Sequence, residues 1–91
     1  MMVTTAKGTK IPGVNLCSLS TITGALIIYV ESVDNVRMPE LLFLLGNPEE
    51  TGRLTMQNEK GETEVFEGYT DMMNMNFDAT KQTLTVFLSR G

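Results

Sequence analysis

Residues 68–91, GYTDMMNMNFDATKQTLTVFLSRG, hold two alternating runs that meet at one compact turn, the pattern of a β-hairpin. Met73, Met75 and Phe77 share one face, and Leu84, Val86 and Leu88 repeat the two-residue period beyond Asp78-Ala79-Thr80-Lys81. The Asp78 side chain suits holding the turn, and Thr83 and Thr85 give the return strand a polar, β-branched face. Just upstream, residues 52–57 and 62–67 flank Asn58-Glu59-Lys60-Gly61, a second hairpin whose glycine supplies the positive φ of a type I turn with a bulge. If residues 62–77 were one straight strand, at about 3.3 Å per residue it would run roughly 50 Å, whereas a domain of this size is roughly 30 Å across. The strand must therefore bend, and Gly68 is the place. Residues 52–89 then form a bent meander in which 62–67 pairs with 52–57 and the stretch after Gly68 pairs with 82–89. A strand that changes partners at a glycine is how small sheets curl toward barrels.

The remaining elements pack on that meander. VTTAKGTKI, residues 3–11, has the form of a hairpin around Lys7-Gly8, ended or bent by Pro12-Gly13. Residues 14–23 alternate loosely through Val14, Leu16 and Leu19 and read as strand or connector. Ala25 to Val33 is almost continuously hydrophobic and β-branched, the signature of a central strand covered on both faces. MPELLFLLGNP, residues 38–48, is the one helix candidate, with Pro39 at its first position, Glu40 at the positive end of its dipole, Gly46 past its last turn and Pro48 barring continuation. Leu41 to Leu45 are apolar all round, so this element is buried or sits against another chain; a buried strand is the alternative. The fold class is α+β, mainly β: a small curved antiparallel sheet or partly open barrel with one short helix near 39–45, in a single domain over residues 1–91.

The chain's 91 residues bury a modest core, since folding at this size removes only about 60–65% of the unfolded surface from water. Hydrophobic residues at 42% and charged residues at 20% argue for an ordered globule. The net charge of −4 is unevenly placed: residues 1–30 carry Lys7 and Lys10 and no acid, while residues 31–71 hold ten acids against three bases. So acidic a middle repels phosphate and disfavours nucleic acid as a partner, unless the basic N-terminal hairpin acts alone. Cys17 is the single cysteine, so no internal disulfide forms, which fits a reducing, cytoplasmic setting. Lysines precede the apolar run at 22–30, yet Thr23 and Gly24 interrupt it and Glu31-Ser32-Val33-Asp34 offers no small-residue cleavage site. As a membrane span it is too short and too polar.

Reactive groups are few. With no histidine, Ser-His-Asp and Cys-His mechanisms and histidine-ligated metal sites do not arise within one subunit. Cys17 lacks a base or cationic neighbour in NLCSLS and reads as a small core hydrophobe. Glu62 and Glu64 share a strand face and Glu49-Glu50 sit in the preceding loop, but carboxylates among turns and charges stay hydrated, without the divergent pKa values acid–base work needs. Nothing resembles a calcium loop or a phosphate loop. Tyr69, after the bend, either packs in the core or projects from the sheet edge with its hydroxyl in water. Met72 falls with Asn74 and Asn76 on the face opposite Met73, where a flexible apolar side chain suits an adaptable contact.

VTTAKGTKI, MPELLFLLG, FEGYT and TLTVFLSRG, in this order and spacing, resemble a group of small proteins encoded in phages and prophages of Gram-positive gut bacteria. The group has no assigned activity, so the resemblance carries over no functional residue; it implies an association with phage particles or their assembly through protein contacts. The expectation is a non-enzymatic interaction or assembly module without cofactor, metal or membrane, in the cytoplasm or incorporated in a phage particle. It would meet a protein partner or another copy of itself through a sheet edge or the 41–45 segment, with Leu41, Leu42, Leu44, Tyr69 and Met72 as candidate contacts. Two other classes stay open. A ligand-binding, metal-binding or catalytic domain using carboxylates predicts a pocket containing at least two of Glu62, Glu64, Glu67 and Asp71. An OB-like barrel would bind single-stranded nucleic acid, with the acidic middle weighing against it.

Overall fold

The computed structural model describes residues 1–90 and, for side chains, all of these except 71–73. In chain order the elements are β1 (Met2–Thr4), β2 (Lys10–Ile11), β3 (Val14–Leu19), β4 (Leu26–Val30), α1 (Arg37–Leu45), α2 (Pro48–Thr51), β5 (Arg53–Gln57), β6 (Thr63–Glu67), β7 (Tyr69–Asp78) and β8 (Thr83–Arg90). The strands form two antiparallel four-stranded sheets, β2-β1-β5-β6 (sheet A) and β3-β4-β8-β7 (sheet B), not closed into a barrel. The mainly β fold with a short helix is as the sequence predicts.

Gly68 is the joint between the sheets. Its φ of +81° is open to glycine at no steric cost, and its N–H donates to the Gly52 carbonyl at 3.0 Å. Upstream, β6 pairs with β5 from Gln57↔Thr63 to Arg53↔Glu67; downstream, β7 pairs with β8 from Tyr69↔Arg90 to Asp78↔Thr83. The expected meander is therefore divided, its halves lying in different sheets. Both turns are held by side chains. Asp78 Oδ1 accepts from the N–H groups of Thr80 and Lys81 at 3.0 and 3.1 Å, and Asn58 Oδ1 accepts from those of Lys60 and Glu62 at 2.9 and 3.0 Å.

The core lies between the sheets. Sheet A contributes Val3, Ile11, Leu54, Met56 and Phe66; sheet B contributes Val14, Cys17, Leu26, Ile28, Val30, Tyr69, Leu84, Val86 and Leu88. Each fully buried Leu, Ile or Val stabilises the fold by about 1.5–3 kcal/mol relative to exposure. Met75 packs against this cluster from its rim, while Phe77, opposite Leu84 on the edge strand, keeps 39% exposure. The facings read for Met72 and Met73 lie outside the described side chains, and a register shift between Met72 and Asn74 interrupts simple alternation there.

Residues 14–19 take the strand alternative, paired with β4 from Val14↔Val30 to Leu19↔Leu26. Two other features differ from expectation. The central strand is covered on one face only: Leu26, Ile28 and Val30 are buried, but Ile27 and Tyr29 point outward and stay half-exposed. The helix begins two residues before Pro39, at Arg37; its N-cap position, Val36, makes no side-chain capping bond, and the turn leading into it is held by Asp34 Oδ1, which accepts from the N–H groups of Val36 and Arg37 at 3.1 and 2.8 Å. Pro48 opens a further single turn, α2, capped by Asn47, whose side chain accepts from the Glu49 N–H.

Candidate functional site

The register of sheet B aligns Leu16, Tyr29, Thr85 and Asn76 in one row across its four strands, and Ser18, Ile27, Phe87 and Asn74 in another. Between these rows Cys17, Ile28, Val86 and Met75 pack into the core, so the two rows form the outer face of the sheet. Leu16 is 45% exposed, and Ile27, Tyr29 and Phe87 retain partial exposure. None of the eight positions is charged, in a chain that is 20% charged. With strands about 4.8 Å apart and a depth of about four residues, the patch covers roughly 250 Å² in plan. Sequence reasoning missed this face although its signal was present. A nearly continuous hydrophobic strand reads as covered on both sides, yet the same run also fits a strand whose second apolar face has no covering layer.

The helix presents a second, smaller apolar surface. Leu41 and Leu45 are buried in the core, Leu42 and Leu44 flank them half-buried, and Phe43 stands out at 73% exposure with Val36 at 85% before the first turn. Of the candidate contacts, Leu42 and Leu44 are thus partly accessible and Leu41 is inaccessible. Tyr69 is not at the surface either. It is 2% exposed, meets the Phe66 ring edge-on at 6.3 Å between centroids, and is covered by the Arg90 guanidinium 4.9 Å from its ring centre. The positive φ at Gly68 turns the strand so that Tyr69 enters the core shared by the two sheets. Met72 lies outside the described side chains.

A cleft of about 320 Å³ opens where Met1, Val14 and Asn15 meet the 58–62 turn, with Glu59, Lys60 and Glu62 on its wall. At least two of Glu62, Glu64, Glu67 and Asp71 are expected in one pocket; among the described side chains Glu62 alone of these lines the cleft. Glu64 is exposed elsewhere, Glu67 faces Arg53 at 3.7 Å, and the Asp71 side chain lies outside those described. Among the described residues no three His, Cys, Asp or Glu side chains are grouped to hold a metal ion. Glu49 pairs with Lys7 at 2.8 Å on the surface, and that hydrogen bond lowers the Glu49 pKa and raises that of Lys7.

Among the described side chains one carboxylate is buried: Glu50, on α2, accepts a hydrogen bond from the Thr5 hydroxyl, and its backbone carbonyl accepts from the Ala6 N–H at 2.9 Å. The contact fastens the N-terminal hairpin to α2, and every buried side-chain polar atom among the described residues has a partner. The Cys17 thiol is buried, and loss of hydration, with a smaller contribution from the negative Glu64, pushes its pKa up to about 12. It is a core residue without thiolate character at neutral pH.

No protein-family model, curated protein or solved structure matches the chain. Among the described residues no helix is long and apolar enough to cross a membrane.

Proposed function

We propose that the protein is a non-enzymatic interaction module that works in an assembly, with a protein partner or with further copies of itself, and that the assembly is phage-related. The observation that carries this reading is the outer face of sheet B, where Leu16, Ile27, Tyr29 and Phe87 lie with Ser18, Asn74, Asn76 and Thr85 on an uncharged surface that no layer of the described residues covers. Isolated exposed hydrophobics are ordinary, but an adjacent set on one sheet face is the arrangement that protein contacts use. Phe43 and Val36 add a second apolar outcrop on the helix. The resemblance to phage and prophage proteins, which implies association with phage particles or their assembly through protein contacts, supports the context.

Light scattering across the micromolar range, with hydrogen–deuterium exchange to locate protected surface, addresses the proposal. The expected result is mass above the monomer, or a partner recovered from a bacterial host lysate, with protection on the outer face of sheet B or on α1. A strict monomer at high micromolar concentration that recovers no partner rejects it.

A further inference from the structure

The two sheets expose four edge strands, β2, β6, β3 and β7, and they are not equally defended. An open edge presents unpaired N–H and C=O groups, which short length, charge or bulges normally protect from pairing with another chain. β2 is two residues long and carries Lys10; β6 carries Glu64 and Glu67; β7 carries Asp71 and Asp78 and is broken by two register shifts. β3, VNLCSL, has no charge and no proline, and its one register shift lies at its start, between Val14 and Leu16. From Leu16 onward it is a regular, uncharged edge with leucines 45% and 46% exposed at positions 16 and 19.

Its hydrogen-bonding phase is set by the β3–β4 hairpin. The Ser20 N–H donates to the Ala25 carbonyl at 2.8 Å, so the alternation of an antiparallel ladder makes Ser18↔Ile27 and Leu16↔Tyr29 the bonded pairs. The N–H and C=O groups of Cys17 and Leu19 then point off the open edge. We infer that this edge pairs with β3 of a second copy, antiparallel about a twofold axis at Ser18. In that register Cys17 of each copy faces Leu19 of the other, so the outward groups of both residues close four hydrogen bonds. Parity also agrees: Cys17 and Leu19 lie on the inner face, Leu16 and Ser18 on the outer, and the outer faces of both copies become one surface of roughly 500 Å².

A second copy is the occupant that charge favours. The chain carries −4, but its acids lie in 31–71 and at 78, and residues 11–30 bear no charged side chain, so two copies meet where neither repels the other. The contact is small. Five paired residues span about 16 Å, well short of a standard interface of about 800 Å² per partner, so the dimer forms with concentration and is not obligate.

This inference rests on the assembly reading and names its partner and surface. Facing Ser18 residues form a non-bonded pair with Cα atoms about 4.5 Å apart, inside the roughly 4.4–6.8 Å window for a disulfide. Sedimentation of the wild type should show a reversible monomer–dimer equilibrium, with amide exchange at Cys17 and Leu19 slowing as concentration rises. Ser18→Cys should cross-link to a homodimer under mild oxidation while the wild type, its Cys17 buried, does not. Leu19→Lys, checked for fold by circular dichroism, should weaken association at least about tenfold, and Ala79→Ser, in the exposed turn between β7 and β8, should leave it unchanged. A wild type that stays monomeric at every concentration overturns the self-pairing and leaves the assembly reading to a different partner, which host-lysate capture tests separately. A dimer that ignores Leu19→Lys, with no Ser18→Cys cross-link, also overturns it while upholding assembly through another surface.

Discussion

Replacing Gly68 tests the joint on which the architecture turns. Its φ is +81°, and a Cβ there would meet only Arg90 Cγ at 3.9 Å, an ordinary contact, so Gly68→Ala introduces backbone strain without a clash. An L-residue in the left-handed region costs about 1–2 kcal/mol, while alanine's stiffer unfolded chain returns about 0.4–1 kcal/mol, leaving a net loss near 1 kcal/mol. For a domain of this size that lowers Tm by about 4–8 °C. The sharper comparison sets L-alanine against D-alanine, introduced by chemical ligation. Both restrict the unfolded chain equally, but the D-residue accepts positive φ. Urea unfolding should therefore place the D-variant about 1–2 kcal/mol above the L-variant and slightly above the wild type, at unchanged m-value. Equal stability of the two alanine variants would refute the argument that the change of partner at residue 68 depends on a positive φ.

Three further outcomes follow from the packing. Thr5→Val removes the hydroxyl that donates to buried Glu50 and also accepts the Thr9 N–H at 3.1 Å, so thermal unfolding should show a loss of about 1–3 kcal/mol, largely recovered in Thr5→Ser; a neutral valine variant contradicts the role given to this contact. Because burial holds the Cys17 pKa near about 12, the native thiol should resist iodoacetamide at neutral pH and react only as the protein unfolds, and rapid native labelling would place it at the surface instead. On α1, Leu45→Ala should cost about 2–5 kcal/mol in chemical denaturation and Phe43→Ser less than about 0.5 kcal/mol, since the first is fully buried and the second 73% exposed; similar losses would mean that the helix is docked on a different face.

What the sequence determined by itself is what is local. Alternation with Asp78 at the turn specified β7–β8, Asn58 and Gly61 specified β5–β6, and chain length against domain diameter placed the break at Gly68. Pro39, Gly46 and the leucine run located the helix to within two residues, the difference arising because a turn held by the Asp34 side chain leads into the helix before the apolar run begins. Cys17 was legible as core because it lies at an alternating position with no charged neighbour. Only tertiary structure decided what depends on layers. A one-dimensional pattern shows that Ile27 and Tyr29 are apolar, not whether a second layer covers them. Nor does it show that the strand after Gly68 leaves one sheet for the other, which carries Tyr69 into the core and away from a partner. Periodicity reports which side chains share a face; which faces meet follows from how two sheets divide one core between them.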